Sequence, residues 1–415
     1  MEVKLYIKYF IFLYILAISS FEFFFRVNQS ATYLLFPFVT LGIIYYHERI
    51  NFSVIIIILP FVFVYIMQTI LYGSPFYYAI TLAIRLVTIY FSVKIIGIDF
   101  LKIFIQTIKI IALVSIVFYL LQYIGFTNNL MISLSHNITN LDSDPLRVID
   151  RPNIIIYTIQ TEKNNLMLYR NSGPFWEPGL YSVYLNIALF LNLFIKKRIF
   201  NKTNLLFILS IITAFSTMGT IALLINLSLF GLLNKSLSFP IRVLVFSLLI
   251  TTISAISSLP FMTEKINEQI ADSDVSYSRF GAAVVHFKII KDYPLTGLPY
   301  DKTTYSKYAD NISPNGITQM FVRYGIIAGF IYYIFLFRTS STVMKLFGEK
   351  NKGYALFIIL VIVLFSETQG NTPMYWAIIF SQIPLSDFLL KWNRFQKLRL
   401  FNFHLQKSKL NVTKI

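Results

Sequence analysis

The segment FSVIIIILPFVFVYIMQTILY, residues 52–72, runs for 21 positions without one charged side chain. About 20 apolar residues in a helix match the hydrocarbon thickness of a bilayer, because each residue advances about 1.5 Å. The pattern recurs along the chain, at residues 5–25, 31–47, 52–72, 76–96, 103–124, 174–195, 203–217, 219–233, 243–259, 317–337, 353–367 and 373–390. This reading predicts an all-α integral membrane protein of about 12 transmembrane helices, with both termini on one side. The runs are too long for the roughly 10-residue alternating strands of an outer-membrane barrel.

Composition supports the same reading. Of 415 residues, 56% are hydrophobic and 13% charged, against about 25% charged in an ordinary globular domain. A soluble fold of this size needs a polar exterior that these residues do not supply. Lys4 and Lys8 before an apolar run to Ser20 give the charge order of a signal peptide. That run lacks a small-residue cleavage site and is read as an uncleaved first helix. With no cysteine and four scattered histidines (His47, His136, His286, His404), disulfides, thiolate catalysis and a histidine metal motif are excluded.

The net charge of +17 would suggest nucleic acid in a soluble chain. In a membrane protein it is read first by its distribution, because cytoplasmic loops are enriched in Lys and Arg. With the N-terminus inside, 22 of the 36 basic residues fall on the cytoplasmic side, with five acids, whereas 12 basic residues and 14 acids fall outside. The charge is thus an orientation signal, and no nucleic-acid partner is expected. The basic tail, residues 391–415, is expected to lie against anionic headgroups.

One multi-pass domain, residues 1–415, is expected, with two long outer loops, 125–173 and 260–316. Long loops on a rigid scaffold are where function concentrates. The apolar stretch Ile154-Ile155-Ile156-Tyr157 predicts that the first loop folds partly against the membrane surface. At its end stands Arg170-Asn171-Ser172-Gly173-Pro174-Phe175-Trp176-Glu177-Pro178-Gly179. Pro174 or Pro178 marks the start of the sixth span, placing Glu177 beside the positive end of a helix dipole. The plainer reading is a solvated arginine and a capping glutamate.

The second loop carries Ser278-Arg279-Phe280, Asp292-Tyr293-Pro294-Leu295-Thr296-Gly297 and Pro314-Asn315-Gly316. It leads to Arg323-Tyr324-Gly325 in the first turns of the tenth span. A charge there faces a polar cavity or snorkels to the interface. Arg85 and Glu22 also lie within spans, and Lys109 lies nearer a cytoplasmic end. Arg85 either pairs with a buried acid or lines a cavity, while Lys109 snorkels. Trp176 and Trp376 fit an interfacial belt.

The chain resembles the O-antigen polymerase and ligase superfamily of bacterial envelope glycan assembly, which includes the Wzy-type polymerases. The resemblance rests on Arg170-x-x-Gly173-x-Phe175-x-Glu177-Pro178 before a span, on Ser278-Arg279, Asp292-x-Pro294-Leu295-x-Gly297 and Asn315, and on Tyr324-Gly325-Ile326. A turn Phe215-Ser216-Thr217-Met218-Gly219-Thr220 between two spans adds to it, although many members have arginine where Met218 stands. It covers roughly residues 165–335.

The resemblance implies a GT-C-like glycosyltransferase architecture in the bacterial plasma (inner) membrane, active on its outer, periplasmic face. It implies polymerisation of polyprenyl-diphosphate-linked oligosaccharide repeat units, as for lipopolysaccharide O-antigen or capsule. The partners implied are a lipid-linked donor and acceptor, a chain-length regulator and a flippase. No cofactor or metal is implied. Guanidinium groups suit a diphosphate leaving group without a metal. Arg170, Arg279 and Arg323 are therefore the first catalytic candidates, and Arg147, Arg151, Asn315 and Tyr324 the candidates for binding diphosphate or glycan. Deprotonation of the acceptor hydroxyl calls for a base. Glu177 is the best placed, though a helix N-terminus stabilises its charged form, and His136, His286, Asp272, Asp274, Asp292 and Asp301 remain alternatives. Ligases carry His-Asn where this chain has Pro314-Asn315, which favours a polymerase over an O-antigen ligase-type transferase. A flippase or transporter is the non-enzymatic alternative, supported by Arg85 alone.

Overall fold

The computed structural model describes residues 2–24, 28–46, 48–138, 151–161, 163, 167–234, 279–298, 305–308 and 315–412, with isolated positions 240, 243 and 247. The described residues form helices without a named strand: α1 Glu2–Ser20, α2 Asn28–Tyr45, α3 Ser53–Tyr72, α4 Tyr77–Ile96, α5 Phe100–Leu121, α6 Gly125–Ile138 and α7 Pro178–Lys196. They continue as α8 Lys202–Thr213, α9 Thr217–Leu233, α10 Arg279–Asp292, α11 Gly316–Leu346, α12 Gly353–Ser366 and α13 Pro373–Val412. Four stretches are long and apolar enough to cross a membrane: α3, the continuous run through α4 and α5, α7, and α11.

Side-chain placement on α3 is inverted relative to a soluble helix. Ile55, Ile56, Leu59, Phe63 and Ile70 are exposed, while Gln68 is buried. An unbroken exposed apolar face with the polar group turned inward suits a hydrocarbon solvent, where each polar group must find its partner inside the protein.

The central helix is α7, whose residues from Pro178 to Phe194 are all buried. It packs against α5, α8, α9 and α12, while α11 packs against α3, α10, α12 and α13. The polar residues of α7 are satisfied internally. Asn186 Nδ2 donates to the Ser182 and Gly219 carbonyls, and Asn226 Nδ2 donates to Asn186 Oδ1 at 3.0 Å. Gly219 permits the α7–α9 approach, since a Cβ there would stand 2.4 Å from Ser182 Oγ.

Several expected boundaries shift. Of the two prolines offered for the start of the sixth span, Pro178 begins it, because the chain turns at 173–174 and Phe175 pairs with Phe21 just beyond α1. Both long loops contain a helix, α6 in the first and α10 in the second. The basic tail continues α13 as helix to Val412. The span expected at 243–259 lies outside the described residues except at 243 and 247, which are helical. In the first loop Tyr157 turns inward, stacked on Phe118 with ring centroids 5.7 Å apart, while Ile155 and Ile156 are exposed.

Candidate functional site

The ends of α1, α3, α5, α8 and α12 and the starts of α4, α7, α9, α11 and α13 share one end of the bundle, the end expected to face outward. Two helices reaching it are short. With 12 residues, α8 is about 18 Å long, and α12 with 14 residues about 21 Å, against a hydrocarbon layer of about 30 Å. The loops that follow them are 214–216 and 367–372. Polar groups collect around these loops.

The first group is built on the Arg170–Glu177 segment. Asn171 bonds the turn after α8 twice, its backbone N to the Thr213 carbonyl at 2.9 Å and its Nδ2 to Thr213 Oγ1 at 3.2 Å. Arg170 Nε reaches the Ala214 carbonyl at 3.4 Å. Gly173 turns the chain with φ +53°. Phe175 then stacks on Tyr181 and Tyr184 and meets Phe21 edge-on. The Glu22 amide donates to the Pro174 carbonyl at 3.0 Å. Arg151 donates from Nη1 to the Trp176 carbonyl. Glu177 occupies the N-cap of α7 in extended conformation, yet its side chain accepts no bond from the helix. Its half-buried carboxylate has no hydrogen-bond or ion-pair partner among the described residues.

The second group surrounds a break in α11 at Gly325, where φ is 73° and ψ 176°. Such a break frees the bond that Ile326 N–H would make to the Val322 carbonyl. The turn Pro294–Leu298 enters the gap: Leu298 N donates to the Val322 carbonyl at 2.7 Å, and Ile326 N donates to the Pro294 carbonyl at 2.8 Å. From α3, Gln68 Nε2 donates to the Thr296 and Arg323 carbonyls at 2.8 and 2.9 Å. Tyr72 Oη and Thr296 Oγ1 lie 2.8 Å apart. The backbone groups released by the break are thus satisfied within the protein. The Asp-x-Pro-Leu-x-Gly and Arg-Tyr-Gly motifs are the two halves of one joint.

The loop 367–372 connects the groups. Asn371 Oδ1 accepts from Tyr324 Oη at 2.7 Å, Arg85 Nη2 at 3.1 Å and Trp376 Nε1 at 3.2 Å. Two residues earlier, Gln369 Oε1 accepts from Tyr184 Oη at 3.3 Å and Ser20 Oγ at 3.4 Å. Ser20 carries the connection back to the first group, because its carbonyl accepts from Trp176 N at 3.4 Å.

Comparisons with protein-family models, with curated proteins and with solved structures return no match.

Among the sequence candidates, Arg151, Arg170 and Glu177 fall in the first group and Arg323 and Tyr324 in the second. Arg147 lies outside the described residues, as do Asp272, Asp274 and Asp301, and the Arg279 and His136 side chains are likewise outside them. Arg279 begins α10. Asn315 caps α11, its Oδ1 accepting from Ile317 N and Thr318 N at 3.1 and 3.2 Å. Asp292 Oδ2 accepts from Tyr308 Oη at 2.9 Å. His286 is buried on α10, with Nδ1 2.6 Å from Thr318 Oγ1 and Nε2 3.1 Å from Tyr305 Oη. Burial pushes its pKa down to about 4, so at neutral pH the ring is uncharged and stitches α10 to α11.

Sequence reading missed Gln68, Gln369, Asn371 and Tyr184. Two signals pointed to three of them: Glu367-Thr368-Gln369-Gly370-Asn371-Thr372 is an unbroken polar run between apolar helices, and Gln68 is the one amide side chain in 52–72.

Proposed function

We propose that the protein is a metal-independent membrane glycosyltransferase of the O-antigen polymerase type, with about 12 spans by sequence count and a GT-C-like architecture. It would act at the outer face of a bacterial plasma membrane, with both termini in the cytoplasm. The growing glycan passes from its polyprenyl diphosphate to a sugar hydroxyl of a second lipid-linked repeat unit. The C1–O bond to the diphosphate breaks and its electron pair leaves with the lipid. A new C1–O bond forms to the acceptor oxygen, whose proton goes to a base. A single displacement of this kind inverts the anomeric centre.

The observation that carries this reading is the joining of the Arg170–Glu177 segment to the Arg323–Tyr324 break, through Ser20, Gln369 and Asn371, at one end of an apolar bundle. Arg170, Arg279 and Arg323 would complement the charge of the departing diphosphate. Arg147 and Arg151 would add to the anion field, and Glu177 supplies an unpaired carboxylate for the acceptor proton. Tyr324 and Asn315 are committed to Asn371 and to the α11 cap, which makes them positioning residues in this scheme. Pro314 in place of a ligase histidine favours the polymerase over the ligase alternative.

The test is the surface polysaccharide of a deletion strain complemented with variants. Arg170→Ala and Arg279→Ala should each abolish long-chain polymer while single repeat units are still displayed. Long chains persisting in both variants would remove this assignment, and repeat units trapped on the cytoplasmic leaflet would indicate transport.

A further inference from the structure

Arg85 is the ninth residue of α4, about 12 Å along the helix from its Tyr77 end. Arg85 is half-buried and bound through Nη2 to Asn371 Oδ1, while its Nε is buried without a hydrogen-bond partner among the described residues. Asn371 orients this cation without neutralising it, and its oxygen already accepts from Tyr324 and Trp376. The opposite end of the bundle treats its cations differently. There Lys8 pairs with Asp99 at 2.5 Å, Lys94 with Glu48 at 3.9 Å and Lys352 with Glu349 at 2.7 Å. Among the described residues no carboxylate pairs with Arg85, although Glu22 and Glu367 are buried at the same end. Arg323 lies within electrostatic reach of the same Tyr324 hydroxyl.

A fixed, partly desolvated guanidinium at bilayer depth is costly unless an anion completes it. Its planar fork matches two oxygens of a phosphate, and its rigid seat on Asn371 removes the entropy of ordering a free arginine. An anion reaching this depth from the side must bring its own hydrocarbon. We infer that Arg85, seated on Asn371 beside Tyr324, binds the diphosphate of a polyprenyl-linked substrate from within the membrane. This rests on the proposed reaction and adds to it a binding residue on a transmembrane helix, apart from the loop arginines.

The full-length protein in phosphatidylcholine nanodiscs, titrated with farnesyl diphosphate as probe, tests this. Wild type should bind saturably, and Arg85→Gln should weaken binding at least tenfold. Arg85→Lys should weaken it too, because the charge remains but the fork is lost. Asn371→Asp retains the oxygen that receives all three donors while setting a carboxylate against Arg85. It should therefore lose binding to the same extent with an unchanged melting temperature, which separates loss of the site from loss of the fold. Inorganic pyrophosphate should bind at least tenfold more weakly than the probe, and phosphatidylglycerol should not displace it.

Unchanged affinity in Arg85→Gln and Asn371→Asp, or no binding by wild type, would overturn the inference. Pyrophosphate as tight as the probe would replace the lipid route with an aqueous one, and displacement by phosphatidylglycerol would reduce the site to a general anionic-lipid contact. Either result also overturns it. Long polymer surviving in Arg170→Ala and Arg279→Ala would refute the polymerase reading without affecting this binding result.

Discussion

Gly297 lies against the backbone of Gly325: a Cβ on Gly297 would stand 2.6 Å from the Gly325 nitrogen and 2.4 Å from the Val322 carbonyl oxygen. Both glycines have positive φ, +62° and +73°. The contact is what lets a turn of the second loop enter the broken helix and supply the hydrogen bonds that the break removes. Arg323 and Tyr324 owe their positions to this joint.

Gly297→Ala therefore combines an unfavourable backbone conformation with a clash against backbone atoms that cannot give way. A loss of about 2–4 kcal/mol is expected. Thermal melting in detergent or nanodiscs should show it, together with faster protease cutting between residues 293 and 299.

Gln68→Leu removes both donors to Thr296 and Arg323 at nearly constant volume and leaves two carbonyls short of a partner. The expected cost is about 1–3 kcal/mol. Hydrogen exchange should rise at residues 294–298 and 322–326 and remain unchanged in α7 and α9. A uniform rise across the bundle would contradict this local role.

Asn315 is an N-cap, so the chemistry at this position is replaceable. Asn315→Asp and Asn315→Ser should keep stability and activity, whereas Asn315→Ala should cost about 1 kcal/mol. If Asn315→Asp abolished the polymer at wild-type stability, the side chain would be contacting substrate instead.

Glu177→Gln should leave the melting temperature within the scatter of a surface substitution, because no described residue depends on the carboxylate. If it serves as the base, chain extension should slow by about 10²–10⁴-fold. A reduction under about tenfold would confine it to orienting the substrate.

His286 gives a pH dependence with a definite sign. Its folded-state pKa of about 4 lies below the usual value near 6.5, so the unfolded state takes up a proton first as pH falls. Stability is unaffected above about pH 6.5 and declines between about 6.5 and 4, by roughly 3 kcal/mol in all if the buried ring stays dry. Protection factors in α10, referred to the intrinsic exchange rate at each pH, should fall over that window in the wild type and not in His286→Phe.

Hydropathy made the fold class legible, because whether a segment can lie in hydrocarbon is a sum over its own residues. Helix lengths were less so. The spans read at 203–217 and 353–367 become the short helices α8 and α12, whose ends are fixed by caps and by packing on α7. Ser216 Oγ, for example, accepts from Gly219 N to start α9. The motifs at Arg170, Asp292 and Arg323 were visible as residue types in order, but nothing local shows that Leu298 completes a break at Gly325. Asn371 was invisible as a hub for the same reason: its three donors come from α4, α11 and α13.

The sequence by itself determined that this chain is a bundle of apolar helices with its polar, turn-forming residues concentrated in a few connections. Those properties follow from side-chain chemistry read over about 20 residues at a time. Only the tertiary structure decided which connections meet, and that Arg85 sits on Asn371 with no carboxylate partner among the described residues. These relations join residues up to 349 positions apart, and they arise because buried polar groups must find partners wherever packing brings them together.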